Sequence, residues 1–446
     1  MAMDVFKAYD IRGVYGKGID KELAWKVGRA FARHLGGTRY IAGYDARLHS
    51  EELYREVMRG LADEGKSVRG LGLASTPSLH YTQINGKYDG AVMVTASHNP
   101  PEYHGFKLFG PDGGSVSGDK GLLDVKELLS KVAGEAAVPG GSITKDTSME
   151  EYLEFLLDYR GERISGLSIV VDASHGSAGP ILVELFSRMG IDATVINAEP
   201  DGTFPSHGPN PLEVKSREVI CRAVKEKGAD AGAILDGDGD RVLFVDEKGN
   251  AIQNYFLSAL IAEELLAENP GASIVYDLIS SRVLPERIGE LGGTPVVSRV
   301  GYTNLYDRMV ETGAVFGTET SGHVYFKVSD KFYTESAARA ILLLLSILMK
   351  KKEPLSRLVA PLSLRYYQAD ELNSEVDDKK AAMKRIDDSF AGARKDRLDG
   401  LSVDAGDFWF NVRPSNTEPL LRLRLEAKDR ETGDRELLRL RKLIEE

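Results

Sequence analysis

Hydrophobic and polar positions follow one recurring grammar along this chain. A short apolar, β-branched run ends in a polar or glycine-rich loop, a stretch with helical spacing follows, and the unit starts again. First, Tyr40-Ile41-Ala42-Gly43 leads into Asp45-Ala46-Arg47, a helix predicted near 50–64 and a strand at Ser67–Leu73, and continues through Ser75-Thr76-Pro77 to a strand at Gly90–Val94. The second round starts at Leu167–Val171 and passes through Asp172-Ala173-Ser174-His175-Gly176 into a helix near 179–189. Ala193–Asn197, a helix near 213–227 and Ala231–Leu235 complete it. The third runs from Ala272–Tyr276 through a helix near 281–291, Pro295–Val297, a helix near 303–312 and Ala314–Phe316. Strands alternating with helices of this length imply βαβ units and mostly parallel sheets, with functional loops at the carboxyl ends of the strands. The last part breaks the pattern. A strand at Ser363–Tyr367, a helix over 377–390, a strand pair at Phe408–Val412 and Leu421–Leu425 and a terminal helix over 430–445 predict an α+β module.

A chain of 446 residues exceeds what one core supports. Seams are expected at 139–148, at the Asp246–Asn250 turn and at 354–362. They give domains at 1–145, 146–248, 249–360 and 361–446. Composition changes little in this picture. The net charge of −11 argues against nucleic acid or an anionic membrane as the main partner, while leaving room for a locally basic pocket. The single cysteine, Cys221, excludes an intramolecular disulfide; its neighbours Val219, Ile220 and Val224 predict a small core residue. The apolar run Ile341–Met349, interrupted by Ser346, is far short of a membrane span and is expected as a buried helix. The N-terminus carries no apolar signal-peptide region, so the expected compartment is the cytoplasm.

Two loops carry the candidate chemistry. Thr95-Ala96-Ser97-His98-Asn99-Pro100 follows the Gly90–Val94 strand, and Pro100-Pro101 prevents a helix from starting at once. Ser97 is therefore presented on a polar turn at a strand end. Asp236-Gly237-Asp238-Gly239-Asp240-Arg241 follows Ala231–Leu235. Carboxylates at alternate positions, separated by permissive glycines, can fold back around one hard cation such as Mg²⁺. Three other readings of the second loop stand beside this one. An EF-hand would also use Glu247, but it wants glycine where Arg241 stands and a helix before the loop. A haloacid-dehalogenase-type phosphatase would use Asp236 as nucleophile beside Asp238, but has Thr or Val where Asp240 stands. The third is a solvated acidic turn.

The string around Ser97 resembles the phosphoserine loop of the α-D-phosphohexomutases, and the Asp236–Arg241 loop is similar to that family's metal loop. Further resemblances lie in Tyr9-Asp10-Ile11-Arg12-Gly13, Asp45-Ala46-Arg47, Gly105-Phe106-Lys107, Gly317-Thr318-Glu319-Thr320-Ser321-Gly322-His323 and Arg413-Pro414-Ser415-Asn416-Thr417-Glu418-Pro419. They occur in the family's order across all four segments. The resemblance implies an α/β protein with three similar mixed-sheet domains and a C-terminal α+β domain around a central cleft. It implies a phosphomannomutase or phosphoglucomutase that interconverts hexose 1-phosphate and hexose 6-phosphate through phosphorylated Ser97 and a bound hexose 1,6-bisphosphate. Asp236, Asp238, Asp240 and an oxygen on Ser97 are implied Mg²⁺ ligands. Ser97, His98, Lys107, Arg12 and Arg241 are implied in catalysis, Lys107 as acid/base. Tyr9, Arg47, Glu319, Ser321, His323, Arg413, Ser415, Asn416, Thr417 and Arg422 are implied in binding the hexose phosphate. Without the family, Arg12 and Arg47 would read as salt-bridging arginines, Lys107 as a solvated strand charge and His323 as a structural histidine. Bacterial members carry a lysine where Ile279 stands and a histidine where Tyr302 stands, which unsettles sugar preference more than reaction type. Phosphoglucosamine mutase, a Mg²⁺-dependent sugar phosphatase and a noncatalytic sugar-phosphate binder remain the alternatives.

Overall fold

Gly90–Val94 is buried along its whole length, as a strand flanked on both sides must be. It sits inside a six-stranded sheet in a computed structural model that describes residues 5–158, 164–330, 332–414 and 420–445. The order in that sheet is Ile11–Val14, Tyr103–Phe109, Gly90–Val94, Arg39–Tyr44, Ser67–Leu73, Ser142–Lys145. The first three strands run antiparallel and the last four parallel, so the sheet is mixed. This topology sets Ile11–Val14, Tyr103–Phe109 and Gly90–Val94 side by side, with Arg12 opposite Gly105 and Met93 opposite Lys107. The middle strand allows the close approach because residue 105 is glycine. A Cβ there would lie 2.1 Å from the Ile11 carbonyl oxygen.

A second mixed sheet has the order Ala251–Ile252, Val242–Asp246, Ala231–Leu235, Ser168–Asp172, Asp192–Ile196. Ala231–Leu235 and Val242–Asp246 are antiparallel, with Leu235 opposite Val242, so Asp236–Arg241 forms the connecting loop. Both strands are fully buried. By packing, these two sheets belong to one unit, Met1–Asn254 with Ser321–Ser356. That unit also holds the antiparallel pair Val324–Ser329 and Phe332–Glu335 and the helix Ala337–Lys351. The helix is buried without a break from Ala340 to Leu348, as the apolar run predicts, and Ser336 caps it by accepting from the Arg339 N–H. Among the described residues, no helix is long and apolar enough to cross a membrane.

The other unit comprises Tyr255–Thr320 and Arg357–Glu446. In it Ser273–Asp277 lies parallel to Thr294–Ser298 and to Phe316–Thr318. Its second sheet is antiparallel and centres on Phe408–Pro414 and Leu420–Ala427. Ile386, Phe390, Leu440 and Ile444 from helices Lys379–Ser389 and Arg430–Glu445 and their ends close over Phe410, Leu423 and Leu425.

Several expectations need correction. Ser363–Tyr367 is not a strand. Ser363 ends the helix Leu355–Ser363, and only Tyr367–Gln368 is extended. Leu355, Val359 and Leu362 are all buried, which is helical spacing, while Leu364 is 83% exposed. The expected strand at Ala314–Phe316 lies two residues later, at Phe316–Thr318. Stretch 139–148 carries the edge strand Ser142–Lys145, and Asp246–Asn250 is a hairpin turn whose Asp246 carboxylate accepts from the Lys248 and Asn250 N–H groups. A border between the two packed units, after Ser356, falls within 354–362. Cys221 is half-buried at the edge of the Val170, Ile220 and Val224 cluster rather than inside it.

Candidate active site

Ser97 sits just past a buried strand with φ +52°, in the left-handed region. For a non-glycine residue that geometry costs roughly 1–2 kcal/mol and survives only where neighbours impose it. The neighbours are explicit. Thr95 Oγ1 accepts from the Ser97 N–H at 2.8 Å, and Arg47 donates to the Ser97 carbonyl at 2.7 Å. So held, Ser97 is 2% exposed and its hydroxyl donates to Asp236 Oδ2 at 2.8 Å. His98 Nδ1 is 3.3 Å from the same hydroxyl. The two loops that stand 139 positions apart in sequence therefore meet directly.

The aspartate loop is closed on itself. Asp236 Oδ1 accepts from the Asp240 and Arg241 N–H groups, both at 3.2 Å. Gly239 takes φ +72°, which lets the chain fold back. All three carboxylates are buried, and one oxygen from each lies within 4.8 Å of the others. Burial, then Asp240 and Asp238, push the Asp236 carboxyl well above the usual carboxylate range. Burial pushes Asp238 the same way, but Lys107 and the Thr76 hydroxyl outweigh it and bring that group down. Thr76 Oγ1 donates to Asp238 Oδ2 at 2.6 Å and the Thr76 N–H to the Asp238 carbonyl at 2.9 Å. Oδ1 of Asp238 and Oδ1 of Asp240 have no hydrogen-bond partner among the described residues. Hard oxygens, concentrated buried charge and two unused acceptors suit a divalent cation of the Mg²⁺ type. The EF-hand reading fails here: a strand leads into the loop, and Glu247 accepts from the Ser356 N–H and hydroxyl.

Cations surround this pair of loops. Lys107, 3% exposed, is not a solvated strand charge. Its ammonium donates to Asp238 Oδ2 at 2.6 Å and to Asp240 Oδ2 at 2.5 Å. Arg241 Nε meets His323 Nε2 at 3.0 Å and lies 3.8 Å from Asp236 Oδ2. Arg12 donates to Asn99 Oδ1 at 2.6 Å and pairs with Asp10. Burial, followed by Arg241 and Arg12, holds His98 well below the usual imidazole range; burial, Arg241 and Lys107 do the same to His323. Both imidazoles are thereby kept neutral at neutral pH.

Arg47 departs from its expected role. Its side chain is fully buried, and its guanidinium makes five hydrogen bonds. One goes to Asp45; the others go to the carbonyls of Ser97, Asn99, Pro100 and Tyr103, at 2.6–2.9 Å. A guanidinium has five N–H groups, so none is left for a phosphate. Tyr9 is half-buried in the turn before Ile11–Val14, and Ser321 is half-buried in the turn that leads to His323.

In the other unit, Glu319 is 3% exposed and its carboxylate accepts from the Gly301 N–H at 2.6 Å. Asp277 accepts from Ser280 and from both the N–H and hydroxyl of Thr320, so one buried carboxylate ties two loops together. Arg413 and Arg422 stand directly opposite each other on neighbouring strands. Like charges so placed repel, and an anion between or beside them relieves it. Ser415, Asn416 and Thr417 lie outside the described residues. Sequence reasoning missed Thr76, Thr95, Asp45 and Asp277 as site builders. The Ser75-Thr76-Pro77 string signals a helix start, which it is; nothing local marks Thr76 as the partner of a carboxylate 162 residues away.

Comparison with known proteins is consistent from end to end. The descriptions "Phosphoglucomutase/phosphomannomutase, alpha/beta/alpha domain I", "domain II" and "domain III" match residues 3–131, 150–249 and 253–366, and the C-terminal domain of the same family matches 371–443. The chain belongs to the phosphoglucomutase/phosphomannomutase family, with mixed α/β sheets in three domains and a C-terminal sheet domain. It is similar to the phosphomannomutase of Methanocaldococcus jannaschii, at 38% identity over 99% of this chain and 97% of that one. The phosphomannomutase of Salmonella typhimurium is 36% identical over 95% and 94%. The crystal structure of a phosphoglucomutase/phosphomannomutase family protein from Burkholderia thailandensis superimposes with a TM-score of 0.90 at 32% identity, covering 99% and 97%. The chain is thus a phosphohexomutase, an isomerase.

Proposed function

We propose that this enzyme interconverts hexose 1-phosphate and hexose 6-phosphate, with mannose and/or glucose as the sugar, through phosphorylated Ser97. The observation that carries the reading is the Ser97 hydroxyl 2.8 Å from Asp236, with Arg241 3.8 Å from the same carboxylate, Lys107 on Asp238 and Asp240, and Arg12 on Asn99 of the Ser97 loop. In the forward half-reaction the free sugar hydroxyl attacks phosphorus. The bond from phosphorus to Ser97 Oγ breaks, the new bond to the sugar oxygen forms, and the hydroxyl proton passes to a base as Ser97 recovers one. Lys107, already bonded to two carboxylates, is the proposed proton carrier. Arg12 and Arg241 offset the charge spread over the phosphoryl oxygens. Mg²⁺ held by Asp236, Asp238, Asp240 and an oxygen on Ser97 would neutralise the same charge. The hexose 1,6-bisphosphate then turns end for end, and Ser97 takes back the other phosphate.

Arg413 and Arg422, with Ser415, Asn416 and Thr417, are assigned to the phosphate that is not reacting; Glu319, Ser321 and His323 are assigned to sugar hydroxyls. Tyr9 is assigned to the substrate with them. The match of all four domains to the phosphoglucomutase/phosphomannomutase family favours the mutase over a phosphatase that uses Asp236 as nucleophile. Ser97→Ala tests the reading. It is expected to abolish mutase turnover and to remove a covalent phosphate visible in intact mass. Retained turnover, or a phosphate elsewhere, overturns it. Coupled assays with mannose, glucose and glucosamine 1-phosphates under one condition decide the sugar, including the phosphoglucosamine alternative.

A further inference from the structure

The geometry points to Asp45, Thr95, Arg47 and Phe204 as a splint that locks Ser97 in its left-handed backbone and so sets where its hydroxyl points. This rests on Ser97 being the phosphate carrier. Both sides of the Ser97 residue are pinned. On the amino side, Asp45 Oδ2 accepts from the Thr95 hydroxyl at 2.7 Å, and Thr95 Oγ1 in turn accepts from the Ser97 N–H at 2.8 Å. On the carbonyl side, Arg47 donates to the Ser97 oxygen at 2.7 Å. The two arms share one anchor, because Asp45 also accepts from Arg47 Nε at 3.1 Å and from the Arg47 N–H at 3.1 Å. Ser50 donates to the remaining side of that carboxylate at 2.6 Å.

A segment from the second sheet's domain closes the splint. The Arg47 guanidinium carbon lies 5.3 Å from the centre of the Phe204 ring. Phe204 itself has φ +49°, imposed by the Asp201–Phe204 turn, in which the Phe204 N–H donates to the Asp201 carbonyl at 3.0 Å. That turn is pressed backbone to backbone on the 46–48 segment. A Cβ on Gly202 would lie 2.4 Å from the Leu48 nitrogen and 2.6 Å from the Ala46 oxygen, so only glycine fits. Phe204 also reaches the aspartate loop: a Cβ on Gly237 would lie 3.6 Å from its ring and 2.8 Å from the Ser97 oxygen. One ring thus lines up the guanidinium that holds Ser97 with the loop that Ser97 faces. None of these side chains has a donor or acceptor to offer the sugar. They are positioning residues, and displacing a reacting atom by about 1 Å can cost around 10²-fold in rate.

The test uses Thr95→Val, Phe204→Leu and Arg47→Lys, with Thr95→Ser as the conservative control. Each variant is assayed for kcat and KM with mannose 1-phosphate and glucose 1,6-bisphosphate. Intact mass follows the loss of phosphate from phosphorylated Ser97 in a single turnover. We expect Arg47→Lys to lower kcat about 10²-fold, Thr95→Val and Phe204→Leu about tenfold or more, with KM within about threefold and discharge slowed in parallel. Thr95→Ser restores the wild-type rate. A lower melting temperature with unchanged kcat and discharge per folded molecule overturns the proposal, since a merely structural contact behaves that way. A raised KM with kcat intact overturns it too, because that is the signature of a substrate contact. If Arg47→Lys does not fold, Thr95→Val and Phe204→Leu decide alone. Ser97→Ala run alongside keeps the two readings apart: turnover there removes the phosphoserine premise, whereas wild-type rates in the splint variants with a dead Ser97→Ala remove only the splint.

Discussion

Two tetrads in this chain are nearly the same in sequence and do opposite work. Tyr9-Asp10-Ile11-Arg12 and Tyr44-Asp45-Ala46-Arg47 each place an arginine two residues after an aspartate, and in each the two side chains pair. Arg12 keeps 17% of its side-chain surface and touches the Ser97 loop through Asn99. Arg47 keeps none and is consumed by the carbonyls of that same loop. The difference lies in what surrounds them. Arg12 is on a sheet-edge strand, whereas Arg47 lies between the loop it braces and the Phe204 ring. The same short motif therefore places an arginine against the Ser97 loop in both cases, and the neighbouring backbone decides whether its guanidinium stays partly open or is consumed in building the loop.

The largest effect that can break this contrast is on stability. Arg47→Ala leaves Asp45 buried beside no cation and strands four carbonyls, and losing one member of a buried pair costs about 3–5 kcal/mol. Urea unfolding should show a loss of that size in unfolding free energy, seen as a lower midpoint at unchanged slope. A loss under about 1 kcal/mol would mean the carbonyls find water and the brace is dispensable. Arg12→Ala should do the reverse: stability within about 1 kcal/mol of wild type, but kcat/KM lower by about 10²–10³-fold. An Arg12 variant that unfolds as readily as the Arg47 variant would erase the distinction. A smaller effect tests the third partner of the site. Thr76→Val removes the hydroxyl that orients Asp238 and is expected to weaken Mg²⁺ or Mn²⁺ binding about 10–100-fold by calorimetry, with the fold intact. Unchanged affinity would show that Lys107 alone fixes that carboxylate.

The alternating pattern made the strands and helices of the α/β segments readable because buried strands need apolar runs, and their loops then had to lie at strand ends. Ala231–Leu235 and the helix at 179–189 appear in the structure at the residues that the pattern predicts. Ser363–Tyr367 was misread because Leu362, Leu364 and Tyr366 alternate like a strand while the buried positions follow a helix. At the candidate site, Ser97, Lys107 and the three aspartates, which the fold brings together, stand in strings that can be picked out with little context. The residues that hold them do not. Thr76 and Asp45 act across 162 and 50 positions, and a hydroxyl or carboxylate in a turn looks the same whether it caps a helix or braces a distant loop. Arg47 shows the same limit from the other side, since its motif was visible and its role was not.

The smallest predicted effect concerns the loop that covers Arg47 and leaves Arg12 alone. His207, three residues after Phe204, places Nε2 3.0 Å from Asp172 Oδ2 and Nδ1 2.7 Å from the Gly208 carbonyl. Burial alone would lower this imidazole, but Asp172, the Gly208 carbonyl and Glu213 outweigh it and raise it above the ordinary 6.5. A histidine raised in the folded state contributes stability that is complete below its unfolded value and fades as pH climbs through the folded one. Wild type should therefore exceed His207→Gln in urea midpoint most at about pH 6, with the gap shrinking by about pH 9. The same pH series on Arg12→Ala should run parallel to wild type, because Arg12 is anchored outside that loop. A gap that widens with pH would mean His207 is held neutral, and the Asp172 contact would then be a plain hydrogen bond rather than an ion pair.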